Sequence, residues 1–121
     1  MAENIVALIE DTKVSYYEYV VKIEDGCTRI VAALKADQLA EGLRGIVDLS
    51  EGLSWLIEAE TLLKGQSLHI NSPISSVVPL FEKINVAIEA TNYNEVISLI
   101  EDELKPLFKN AADWQFEEVI S

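Results

Sequence analysis

Chemistry in this chain is limited by its single histidine, His69, and single cysteine, Cys27. A serine or thiol triad would have to be built on His69, which lies in the polar stretch Gln66 to Ser72 and not on an element that could fix it. The sequence holds no glycine-rich phosphate loop, no paired thiolate spacing and no Glu-x-x-His pair of the kind di-iron bundles carry. No catalytic centre, metal site or cofactor is expected. Carboxylates are abundant, so the question is which of them solvent cannot reach. Leu39, Ile46, Leu53 and Glu60 recur at seven-residue intervals, which puts Glu60 on the core face of a helix. Counting outward from the turns places it at the level of Thr12, Tyr16 and Trp114, with His69 able to cover the same end. There the carboxylate could accept from the Tyr16 hydroxyl or the Trp114 indole, and Glu60, Tyr16, Trp114 and His69 would frame a pocket for a cationic or hydroxylated ligand. More often, such a residue bends outward at the end of a bundle and is solvated, and that is the leading reading for Glu60. Glu103, beside Pro106, has the same two readings.

Other acidic groups carry less. Glu10-Asp11, Glu24-Asp25, Glu117-Glu118 and the run Glu101 to Glu103 lack the loop pattern of a calcium site and read as a solvated face. Cys27 falls on an apolar stripe and reads as a buried, inert thiol.

Four helical segments must position these groups. Ile5, Ile9, Thr12, Tyr16, Tyr19, Ile23, Gly26, Ile30 and Ala33 recur at spacings of four and three, one stripe of a helix from about Glu3 to Lys35, with a possible break at Asp11-Thr12. Ala36-Asp37 turns the chain, Asp37 suits an N-cap, and a second helix runs from about Gln38 to Lys64, ended by Gly65. Its core face is Leu39, Leu43, Ile46, Leu49, Leu53, Leu56, Ile57 and Leu63. Gly45, Gly52 and Ala59 form a row of small residues on the flank, which predicts close approach of the first helix near Gly26 and Cys27. The third helix starts at Ser72-Pro73 or at Ser76, a choice that Pro79 decides, with the stripe Val77, Leu80, Phe81, Ile84, Ala87 and Ile88. Asn92 with Glu95 opens the fourth as a capping box, with the stripe Val96, Ile100, Leu104, Leu107, Ala111 and Trp114. Pro106 interrupts it. Pro79 and Pro106 stand at similar distances from the turn at Asn92-Tyr93, so bends at the two would lie at one level and match each other's curvature, or else open a ligand cavity. Segments of similar length with short turns make an all-α, antiparallel up-down-up-down four-helix bundle the economical fold, one domain over 1–121.

Composition narrows the function. The 121 residues are half apolar and one quarter charged, as in ordinary globular proteins. A net charge of −12 repels phosphate backbones and anionic lipid, so neither nucleic acid nor membrane is an expected partner. No run approaches the roughly 18 apolar residues of a membrane span, and Met1-Ala2-Glu3-Asn4 lacks the basic start of a secretory signal. A cytoplasmic protein is expected.

Apolar residues beyond the needs of four core stripes point to protein contact. Val14, Tyr17 and Val21 lie off the main stripe of the first helix, Trp55 and Leu62 lie off the second, and Phe116, Val119 and Ile120 extend past the fourth. Exposed apolar groups that cluster mark a partner surface, so a protein partner or a homodimer is expected, with the chain's own tail as another cover for the first row. The segments Tyr93-Asn94-Glu95-Val96 through Glu103-Leu104-Lys105-Pro106-Leu107-Phe108, with Glu51-Gly52-Leu53-Ser54-Trp55-Leu56, resemble small acidic bacterial helical-bundle proteins of unknown function. In architecture the chain is similar to flagellar export chaperones, a resemblance that implies a groove for a partner's segment and assigns no residue. A non-enzymatic helical bundle acting by protein contact is the leading expectation. A small-ligand binding protein or enzyme with a polar end pocket is the alternative.

Overall fold

Left-handed residues, none of them glycine, mark the turns that divide the chain. The computed structural model describes residues 2–119, and within them Asp37 (φ 59°), Ser67 (φ 63°) and Thr91 (φ 54°) take positive φ. The helical elements are α1 (Ala2–Val20), α2 (Ile23–Lys35), α3 (Leu39–Lys64), α4 (Val77–Glu89), α5 (Tyr93–Ser98) and α6 (Lys105–Leu107). A π-helical stretch, Leu99–Leu104, joins α5 to α6. Two three-residue strands, β1 (Leu68–Ile70) and β2 (Phe116–Glu118), pair antiparallel. The protein is thus predominantly helical with one small sheet. No helix of the described residues is long and apolar enough to cross a membrane.

Two turns close by the same hydrogen-bond pair. Gln38 N–H donates to the Ala33 carbonyl (2.9 Å) and Asp37 N–H to that of Leu34 (3.3 Å); Asn92 and Thr91 repeat this on Ala87 (2.8 Å) and Ile88 (2.9 Å). This is the Schellman ending, which places one left-handed residue just past the helix. Asp37 therefore ends α2 instead of capping α3, whose N-cap is Gln38 without a side-chain bond. Gly65 does not supply the left-handed step expected of it: its φ is −63°, and Ser67 takes that conformation two residues later.

The first long helix is divided, but not at Asp11-Thr12. The Thr12 hydroxyl donates to the Leu8 carbonyl at 2.7 Å, the back-bond that lets threonine sit inside a helix. The break falls at Val21-Lys22, where Lys22 N–H donates to Tyr19 across a tighter i→i−3 turn. Ser76 holds the N-cap position of α4, after a short 3₁₀ turn (Ile74–Ser76), so Pro79 sits in the first turn and needs no bend. Asn92 Oδ1 accepts from Glu95 N–H at 3.3 Å, the expected cap of α5.

Pro106 is accommodated by widening. Lys105 N–H reaches back five residues to the Ile100 carbonyl, and the enlarged turn rotates the buried row so that Phe108 is buried while Leu107 is only half-buried. The matched bends at Pro79 and Pro106 do not form: one proline starts a helix and the other follows a π bulge. The fourth helix also stops at Leu107, so Ala111 lies in a 3₁₀ turn (Ala111–Asp113) and Trp114 in the extended link beyond it.

α2 is the central element, packed along α3 on one side and against α5, the π-helical stretch and α6 on the other. Tyr16, Val20, Ile23, Cys27, Ile30, Leu49, Leu53, Leu56, Leu63, Ile84, Ile100, Leu104 and Phe108 form a continuous core. The small-residue row of α3 receives side chains of the first arm. A Cβ on Gly45 would lie 2.8 Å from Ile30 Cγ1, one on Gly42 2.6 Å from Leu34 Cδ2, and one on Gly52 would overlap the Tyr19 hydroxyl.

Candidate functional site

Glu60 is the polar centre of the fold. It projects from the last two turns of α3, and its Oε2 accepts from the Tyr16 hydroxyl of α1 (2.5 Å) and from Ser72 Oγ (2.7 Å). Ser72 Oγ also accepts from Ile74 N–H at 3.4 Å, which ties the loop before α4 to the same point. Glu60 is half-buried and Tyr16 fully buried. Burial, and next the carboxylate that it faces, hold the Tyr16 hydroxyl well above the ordinary phenol range. A neutral donor beside a carboxylate is therefore the resting arrangement.

The β1–β2 pair builds the roof. Leu68 opposes Glu118, His69 opposes Glu117 and Ile70 opposes Phe116. Alternation along β2 turns Phe116 inward, where its ring meets Tyr16 edge-on at 5.0 Å and Tyr17 at 5.9 Å. Phe116 N–H donates to the Tyr17 hydroxyl at 2.9 Å. Phe116, read in the sequence as surplus on the fourth helix, is a core residue 99 positions from Tyr17.

Beside Glu60 lies a cleft of about 270 Å³, with Glu60, Lys64 and His69 as its titratable groups and Ile57, Leu68, Ile74 and Val78 in its walls. Of the four residues expected to converge, the structure joins Glu60 to Tyr16 and places His69, exposed, at the same cleft. Trp114 is elsewhere: its ring packs on Phe108, centroids 5.6 Å apart. Ser72 takes the place foreseen for the indole. Its signal in the sequence was weak, because a serine before Pro73 reads first as a helix cap. Glu103 is exposed, and among the described residues no three His, Cys, Asp or Glu side chains converge to hold a metal. The Cys27 thiol is fully buried, and burial pushes it up to about 12.

The row expected as a contact surface is split. Tyr17 is covered by the tail, whereas Val14 and Val21 stay about half exposed. Trp55 lies edge-on to Tyr19, centroids 6.3 Å apart, and Leu62 is exposed. Val119 is exposed, and Ile120 lies outside the described residues. The stripe of α1 also loses its beginning, because Ile5 is exposed together with Val6 and Leu8.

Fold and site together define a small helical protein in which a buried tyrosine donates to a half-buried glutamate under a two-stranded clip. The chain belongs to the family described as a domain of unknown function (DUF8042), whose model matches residues 11–113. Tyr16, Glu60 and Ser72 fall inside the matched segment; Ile5, Val6 and Leu8 fall outside it. No curated protein and no solved structure matches the chain significantly.

Proposed function

We propose that this protein is non-enzymatic and works by protein contact, through association with itself or with a helix of a partner, on an up-down-up-down four-helix bundle. The short turns at 36–38 and 90–92 support antiparallel neighbours. One observation carries the functional reading: Ile5, Val6 and Leu8 on the first turns of α1 are 52%, 59% and 58% exposed. Val14 and Val21 continue that exposure along the first arm. Large apolar side chains gathered on one helix lose free energy in water that a partner surface would recover. The net charge of −12 favours protein over nucleic acid or lipid as that partner, in a cytoplasmic setting.

Sedimentation across the micromolar range tests this with the wild type, Leu8→Glu and Val14→Glu. A concentration-dependent dimer that both variants abolish supports self-association. A strict monomer whose variants keep the same crosslinked partners in cells overturns the proposal.

A further inference from the structure

We propose that the cleft beside Glu60 binds a small organic ammonium with an aliphatic body. Both hydroxyl donors, Tyr16 and Ser72, fall on the same oxygen of Glu60, Oε2. That pairing fixes the carboxylate through one oxygen and reserves the lone pairs of Oε1 for another donor. The carboxylate is the one acidic group lining a cleft with Ile57, Leu68, Ile74 and Val78 in its walls, so an incoming donor meets an anion beside apolar groups. A held anion in partly desolvated surroundings favours a cation over a neutral hydroxyl compound, and the strongly acidic chain attracts cations from a distance. Lys64, one turn beyond Glu60, lines the same cleft. Yet the ion pairs among the described residues are Lys13–Glu10 and Lys35–Glu101, so the Glu60 charge is not taken by the chain's own ammonium. A volume of about 270 Å³ lies just below the usual range for drug-sized ligands and suits a short alkyl chain.

The test is a titration of the full chain with n-butylammonium, followed by backbone amide shifts. n-Butanol and butyrate serve as the uncharged and oppositely charged counterparts. The expected result is saturable shifts at Ile70, Ile74 and Ser75 with butylammonium, much weaker ones with butanol, and none with butyrate. Glu60→Gln keeps an oxygen for Tyr16 and Ser72 but removes the charge, and should weaken binding by about tenfold or more. Should that variant fail to fold, Val78→Lys, on an exposed wall residue, leaves Glu60 and its donors intact and must also weaken binding. Butanol binding as tightly as butylammonium, an absence of saturation, or unchanged affinity in the folded variant overturns the proposal.

Discussion

Tyr16 shows what one hydroxyl does inside this molecule. Its ring is fully buried, and its hydroxyl donates to Glu60 Oε2 with the two oxygens 2.5 Å apart. Hydrogen bonds to charged acceptors contribute about 1.5–3 kcal/mol, so Tyr16→Phe should lower unfolding free energy by that order at neutral pH. Alkali supplies a second readout. The native state holds the phenol proton more tightly than the unfolded chain, whose value is near 10. The resulting stability is complete below pH 10 and declines as pH rises above it, toward the raised native value. Cys27, raised from 9.0 to about 12, adds a loss that starts near pH 9 in wild type and variant alike. Urea unfolding from pH 8 to 11 should therefore show both proteins weakening while the gap between them narrows above pH 10. A gap that stays constant would mean that Tyr16 titrates as a solvent phenol does, and one that widens that its native value is lowered; either overturns the raised value.

At the scale of elements, the first arm and α3 are keyed by glycines that accept side chains. The Gly45 and Gly52 row was legible in the sequence as a place of close approach, since a glycine inside a helix costs about 1 kcal/mol against alanine. Its partners, Ile30 and Tyr19, depend on a register that the sequence leaves open. Gly52→Ala places a methyl where the Tyr19 hydroxyl lies, so the ring must shift and disturb its edge-on contact with Trp55. We expect a loss of about 1–3 kcal/mol from overpacking. In a Tyr19→Ala background the same change should stabilise by up to about 1 kcal/mol, because helix propensity alone then remains. Chemical denaturation of the four proteins of this cycle reads the sign change directly. A Gly52→Ala effect of equal sign in both backgrounds would remove Tyr19 as the cause.

Over the whole molecule, the start of α1 and the strand β2 are held very differently. The tail returns as β2, pairs with β1 and buries Phe116 against Tyr16 and Tyr17. The start of α1 leaves Ile5, Val6 and Leu8 in water. Phe116→Ala should cost about 3–5 kcal/mol. Hydrogen exchange should show where: amides of β1, β2 and the end of α1 lose protection first, while those of α2 and α3 keep theirs. Equal loss in α2 would mean that the strand clip is part of the central cooperative unit and not a cover added to it.

The main core faces were written in the sequence because they depend on local spacing, whereas the break in the first helix and the end of the fourth were not. Buried Ile23, Cys27 and Ile30, the α3 face from Ile46 to Leu63, and the Asn92 cap all follow from periodicity and capping chemistry that involve neighbours a few residues away. The same reasoning brought Glu60 to Tyr16, since a heptad position and a count from a turn fix the level of a side chain on an antiparallel pair. It failed where identity depends on distant contacts. The π bulge before Pro106 shifts the phase of the last helical turn and brings Phe108 into the core, and the end of the helix at Leu107 leaves Trp114 in an extended link away from Glu60. Three-residue strands carry too little pattern to announce themselves; β1 and β2 exist because residues nearly fifty positions apart satisfy each other's backbone groups. Local periodicity alone thus set the main core faces and the level of the half-buried carboxylate. Tertiary structure decided which donors hold it, because hydrogen-bond partners are chosen by position in space: Ser72 reaches the carboxylate from the loop before α4, while Trp114 packs on Phe108.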